Sequence, residues 1–184
     1  MPVCLQQSAR LARQAFIPQL LPNLRLSRSH HKIIPFYELI GRATSAWARL
    51  EHTLDLIIWD LVGAPSETIA CITAQIIGAT NRYKTIEALL KQRKSPQLDK
   101  LVEKVDALKK RTYGPNEDRN RIIHDPWYLY DTKTAQFRAM PPKDPRFGVC
   151  VVDINDINTF IETANKLSSR AAEIRNEILA ALRP

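Results

Sequence analysis

The 184-residue sequence predicts a mainly α protein, an antiparallel bundle of four to five helices with a small β-hairpin insertion before the last helix. Three observations point there. Hydrophobic residues make up 45% of the chain, enough for a packed core. Only five glycines, in a chain rich in Ala, Leu and Ile, favour helix over sheet. Apolar residues also recur at three- and four-residue steps along several separate stretches, which is the period of a helix with one buried face. No apolar run approaches the ~20 residues needed to cross a bilayer, so no membrane role is expected. Cys4, Cys71 and Cys150 are odd in number and lack CxxC or metal-ligand spacing. They read as inert buried thiols in a reducing, cytoplasmic setting.

Residues 1–35 are expected to form a basic, flexible extension. Residues 1–37 carry Arg10, Arg13, Arg25, Arg28 and Lys32 and no acid, so the rest of the chain contributes only +3 of the net +8. Such a leader suits an arm on nucleic acid, a targeting segment or a plain extension. Residues 36–184 are expected to form the helical domain. In 37–63, Leu39, Ile40, Ala43, Trp47, Leu50, Leu54, Ile57, Ile58 and Leu61 make one stripe, ended by Gly63 and Pro65. Ser66 is the expected N-cap of a helix carrying Ile69, Ile72, Ile76 and Ile77, and a further helical stretch runs from about 80 to 93. After Ser95-Pro96, Leu98, Leu101, Val105 and Leu108 repeat at helical spacing to Arg111. Gly114-Pro115 predicts a break, with Asn116 capping a short helix that Pro126 closes. Aromatic and β-branched residues then predict two or three short strands within about 127–152. Asp153 or Asn155 opens a last long helix burying Ile157, Phe160, Ile161, Ala164, Leu167, Ala171, Ile174 and Ile178.

The short helix carries the stretch RNRIIHDPW (119–127). At ~100° per residue, Arg119 falls between Ile122 and Ile123 on the inward face, while Asn120 and His124 share one flank. A guanidinium in an apolar face requires a partner. Glu51, ~40° from Trp47 around the first helix, is the candidate that would orient it. His124 sits in the final turn, where the helix dipole favours a protonated imidazole and Asp125 acts in the same direction. Histidine to move protons, arginine to stabilise phosphate charge and an amide to position groups make up the equipment for phosphodiester cleavage without a metal.

Arg119-Asn120-Arg121-Ile122-Ile123-His124 resembles the Arg-polar-x-x-x-His signature of the HEPN superfamily (higher eukaryotes and prokaryotes nucleotide-binding domains). WARLEHTLDLIIWDL (47–61) and RNRIIHDPW resemble two stretches of an uncharacterised bacterial branch. The resemblance implies a metal-independent endoribonuclease, with no cofactor and no metal. It would work as a homodimer whose paired motifs face one another, in a toxin–antitoxin or phage-defence role beside a partner protein. Arg119 would then hold the scissile phosphate, His124 would act as general acid/base for attack by the ribose 2′-hydroxyl, and Asn120 would support the site. Two other readings use the same bundle: a non-catalytic module that dimerises and binds a nucleotide, RNA or a protein, and a structural helical interaction domain.

Candidate RNA contacts lie around the motif. Trp127 and Tyr128 begin a segment mixing aromatics with bases, which can stack on unpaired bases and follow phosphates. Arg121 within the motif, and Lys110 and Arg111 before the expected break, extend the basic path.

Overall fold

The computed structural model describes residues 30–93, 95–130, 133–139 and 147–183, with backbone alone at 30–32, 128–130, 133–139 and 147–150. It has five helices: α1 (His30–Val62), α2 (Ser66–Thr73), α3 (Gly78–Gln92), α4 (Pro96–His124) and α5 (Ile154–Leu182). The backbone between α4 and α5 forms β1 (Trp127–Tyr130), β2 (Lys133–Ala139) and β3 (Phe147–Val151). They pair antiparallel in the order β1-β2-β3, with Gln136 opposite both Trp127 and Cys150. Among the described residues no helix is long and apolar enough to cross a membrane.

Successive helices alternate in direction, and polar cross-links show it. Arg49 bonds Asn165 at 2.7 Å, Thr53 meets Ser168 at 3.5 Å and Asp60 takes a bidentate bond from Arg175 at 2.6 and 3.3 Å. These pairs keep an offset of 115 or 116 residues, so α1 and α5 run parallel and in step. By contrast, Tyr83 meets Thr112 while Glu87 meets Lys109, so α3 and α4 run antiparallel. Lys104, early in α4, bonds Glu177, late in α5, so these two helices run antiparallel as well. The half-buried acids Asp55 and Asp60 each find an arginine, on α3 and α5, as burial of a carboxylate demands. Asp60 also holds the Arg175 guanidinium protonated more firmly than usual.

The core is the shared stripe of these helices. Trp47, Leu50, Leu54, Ile57 and Ile58 of α1 are buried against Ile157, Ala164, Ile174 and Ile178 of α5, and the Trp47 ring stacks on Phe160 at 6.0 Å. Asp153 and Asp156 close a capping box at the start of α5, each side chain accepting from the other's backbone N–H at 2.9 Å. Gly63, at φ 66, ends α1 in the left-handed region that a residue lacking Cβ enters freely.

Several expectations fail locally. Ser66 is the first residue of α2 rather than its cap, and Pro65 precedes it with no side-chain bond. The helix stops at Thr73, which is buried and accepts the Trp59 indole N–H at 3.1 Å. Ile72 and Ile77 point outward instead, Ile77 at 82% exposure. Cys71 is exposed, so it is not a buried thiol. Cys4, like the rest of the basic leader up to residue 29, lies outside the described residues.

The largest departure is in α4. It runs unbroken through Gly114-Pro115 to His124, so Asn116 caps nothing. Leu98, Leu101, Val105, Leu108, Thr112 and Ile122 are buried along it at alternating three- and four-residue steps, and Pro115 and Arg119 occupy the two remaining places in that stripe. A proline disfavours helix at the residue before it mainly through a clash with that residue's Cβ and N–H; Gly114 has no Cβ. Pro115 still deprives the Arg111 carbonyl of its helical donor. Continuous burial on both sides of the proline outweighs that loss.

Candidate functional site

The motif occupies the last two turns of α4, at the end of the bundle where α1 begins. Two contacts fix that end. The Trp127 indole N–H donates to the Ile122 carbonyl at 3.0 Å, satisfying one of the acceptors left over at a helix C-terminus. Its ring also packs against Phe36 of α1, with centroids 6.1 Å apart. Asp125 leaves the helix in an extended conformation (ψ 139), as a residue before proline should, and its N–H still reaches the Arg121 carbonyl at 3.1 Å.

Arg119 lies in the inward stripe and is half-buried, with an Nε that is buried and has no hydrogen-bond partner. Its Nη1 donates to the Asn120 Oδ1 at 2.9 Å. Asn120 and His124 are exposed one turn apart on the flank of α4, with His124 the last helical residue. The structure therefore joins Arg119 to Asn120 and places His124 beside them, open to solvent.

The expected pairing of Glu51 with Arg119 is not formed. The Glu51 carboxylate accepts the Trp47 indole N–H at 3.1 Å, one turn away on its own helix. Local geometry explains the difference: residues four apart on a helix face one another, and a buried indole N–H demands an acceptor. Among the described residues Arg119 makes no ion pair.

Other candidates separate by side. Lys110 bonds Asp106 at 2.6 Å, and Lys109 bonds both Glu87 and Asp106. The hydrogen bonds from Lys110 and then Lys109 hold the Asp106 carboxyl below its usual range. Bonding to Glu87 holds Lys109 protonated more firmly than usual. Arg111 faces away from His124, into an open groove of about 590 Å³ between α4 and α5 that Lys166, Arg170, Glu162 and Glu173 also line. Arg121 is half-buried with a partner of its own. Trp127 is committed to the Ile122 carbonyl and to Phe36, and its indole N–H is not offered to RNA. The Tyr128 side chain lies outside the described residues.

Among the described residues the site is open because α3 is short. α3 begins at Gly78, only five residues before Tyr83, which sits level with Thr112. The end of α4 runs on past it. On α1, the face that bonds α3 through Asp55 continues toward the same end as Tyr37, Gly41, Thr44 and Ala48, all exposed. The lower halves of α1 and α4 thus present a shelf, with Asn120 and His124 on one side of it.

Tyr113 is the residue that sequence reading missed. It is 70% exposed and shares the flank of Asn120 and His124, seven and eleven residues before them. That spacing was visible in the sequence, but the expected break at Gly114 separated Tyr113 from the motif. Among the described residues no group of three or more His, Cys, Asp or Glu is placed to hold a metal ion. Compared with protein-family models, curated proteins and solved structures, the chain has no significant match.

Proposed function

We propose that this chain is a metal-independent endoribonuclease of HEPN type, acting as a homodimer in a toxin–antitoxin or phage-defence role within the cytoplasm. The observation that carries the reading is the trio at the end of α4. Arg119 is held by Asn120 at 2.9 Å, and an exposed His124 stands one turn beyond, on a shelf that no helix among the described residues covers. In the proposed reaction a neutral His124 takes the proton from a ribose 2′-hydroxyl. The freed oxygen attacks the adjacent phosphorus, and the 5′-oxygen leaves with a proton from a second, protonated histidine. The products are a 2′,3′-cyclic phosphate and a 5′-hydroxyl. Arg119 stabilises the charge that builds on the phosphate oxygens. One imidazole cannot be base and acid in the same step, and the resemblance to HEPN proteins assigns the second histidine to the facing motif of another copy of the chain. The open shelf beside His124 is suited to seat it.

The test is incubation of the purified dimer with mixed single-stranded RNA in EDTA. Wild type should leave cyclic-phosphate ends, and His124→Ala should lose about 100-fold or more in rate, as removal of a general acid/base does. Equal cleavage by both proteins, or none by the wild-type dimer, would leave a non-catalytic module that binds a nucleotide, RNA or protein partner.

A further inference from the structure

We propose that Tyr113 is a base-stacking residue, which holds an unpaired base of single-stranded RNA on the flank of α4 leading to His124. The inference rests on the ribonuclease reading of Arg119, Asn120 and His124, and adds to it a second contact point for the RNA. A tyrosine at 70% exposure leaves a large apolar ring in water. Among the described residues that ring stacks on no other, and its hydroxyl makes no hydrogen bond. Tyr83 of the neighbouring helix shows the contrast, being buried and hydrogen-bonded to Thr112. Tyr113 has no structural role of that kind.

Its placement supplies the second half of the case. Because α4 continues through Pro115, one helical frame relates Tyr113 to the motif. Seven residues bring it back to the azimuth of Asn120 and eleven to that of His124, at ~10 Å and ~16 Å along the axis. That separation suits a base next to, or close to, the nucleotide whose phosphate meets Arg119. Lys110, one turn further along and 74% exposed at its side chain, retains donors beyond its bond to Asp106 and can meet the following phosphate. An aromatic flanked by a cation is the arrangement that binds single strands with little regard to sequence. A duplex cannot use it, because its bases are already stacked on one another.

The experiment compares wild type, Tyr113→Ala, Tyr113→Phe and Tyr113→Trp on a single-stranded RNA oligonucleotide in EDTA, with the same RNA annealed to its complement as control. Tyr113→Ala should raise KM between about 5-fold and 100-fold, the range for loss of one stacked base, with kcat little changed. Phe and Trp should restore KM, since the ring and not the hydroxyl is used. An abasic residue scanned through the oligonucleotide should weaken wild type at one position and leave Tyr113→Ala indifferent there. Binding of a fluorescein-labelled oligonucleotide to His124→Ala, with and without Tyr113→Ala, reads the contact independently of cleavage. Equal affinity with and without the ring overturns the stacking role whether or not the protein cleaves. Cleavage with an unchanged KM in Tyr113→Ala overturns it while leaving the ribonuclease reading intact. Absence of cleavage alongside ring-dependent binding overturns the ribonuclease reading alone.

Discussion

Replacing Thr112 with valine should destabilise the protein more than its size suggests, and the hydrogen bonds around it show why. The Thr112 Oγ1 donates to the Leu108 carbonyl at 2.9 Å and lies 3.0 Å from the Tyr83 hydroxyl. A hydroxyl has one proton, so Tyr83 is the donor in that second bond. Both residues are buried, at 1% and 3% exposure. Thr112→Val keeps the shape and strands the Tyr83 O–H without an acceptor, at a cost of about 1–3 kcal/mol. Tyr83→Phe leaves Thr112 still bonded to Leu108 and should cost only about 1 kcal/mol. The double variant should be less damaged than the two single losses added together, because Tyr83→Phe removes the O–H that Thr112→Val strands. Urea titration gives all four stabilities, with the midpoint moving at constant slope. The same pair has a pH signature. Burial pushes the Tyr83 pKa up to about 12. Unfolded tyrosine ionises near 10, so the unfolded state loses its proton first as pH rises. The contribution is therefore complete below about pH 10 and is lost between about pH 10 and 12, by roughly 3 kcal/mol. Tyr83→Phe should flatten that loss. Additive single effects would show that the two hydroxyls do not act as a pair, and an unchanged alkaline profile in Tyr83→Phe would show that the buried Tyr83 does not set it.

Pro115→Ala should raise the melting temperature by several degrees. It returns a donor to the Arg111 carbonyl and removes an interior helix proline, with a net gain of about 2 kcal/mol; a fall in calorimetry would mean that core packing depends on the proline ring. Glu51→Gln should leave stability within about 0.5 kcal/mol of wild type because the amide oxygen still accepts the Trp47 indole, whereas Glu51→Ala should cost about 1 kcal/mol. Neither should alter RNA cleavage, and a shared loss of cleavage would restore the link between Glu51 and Arg119.

The long amphipathic stretches were legible because one face of each helix is buried over many turns: the stripes from Leu39 to Leu61 and from Ile157 to Ile178 are the core of the structure. The inward place of Arg119 and the shared flank of Asn120 and His124 also followed from helical geometry alone. Local rules misled where long-range burial outweighed them. Gly-Pro ordinarily ends a helix, yet Thr112 and Ile122 on either side are both buried, and Gly114 removes the Cβ clash. Glu51 finds its donor one turn away on its own helix rather than across the bundle, because the Trp47 indole is the nearer group. Ile72 and Ile77 are exposed because within α2 it is Ile69 and Thr73 that face inward, and Ile77 lies beyond the helix end.

The continuity of α4 has a dynamic consequence. A single missing hydrogen bond, at the Arg111 carbonyl, divides this rod into an upper length clamped by Tyr83 and Glu87 and a lower length carrying Arg119 and His124. Amides below Pro115 can therefore exchange with solvent as a unit of their own, without the upper helix opening. Any partner that grips the lower turns slows that exchange, which makes the lower amides a direct reporter of occupancy at the His124 end.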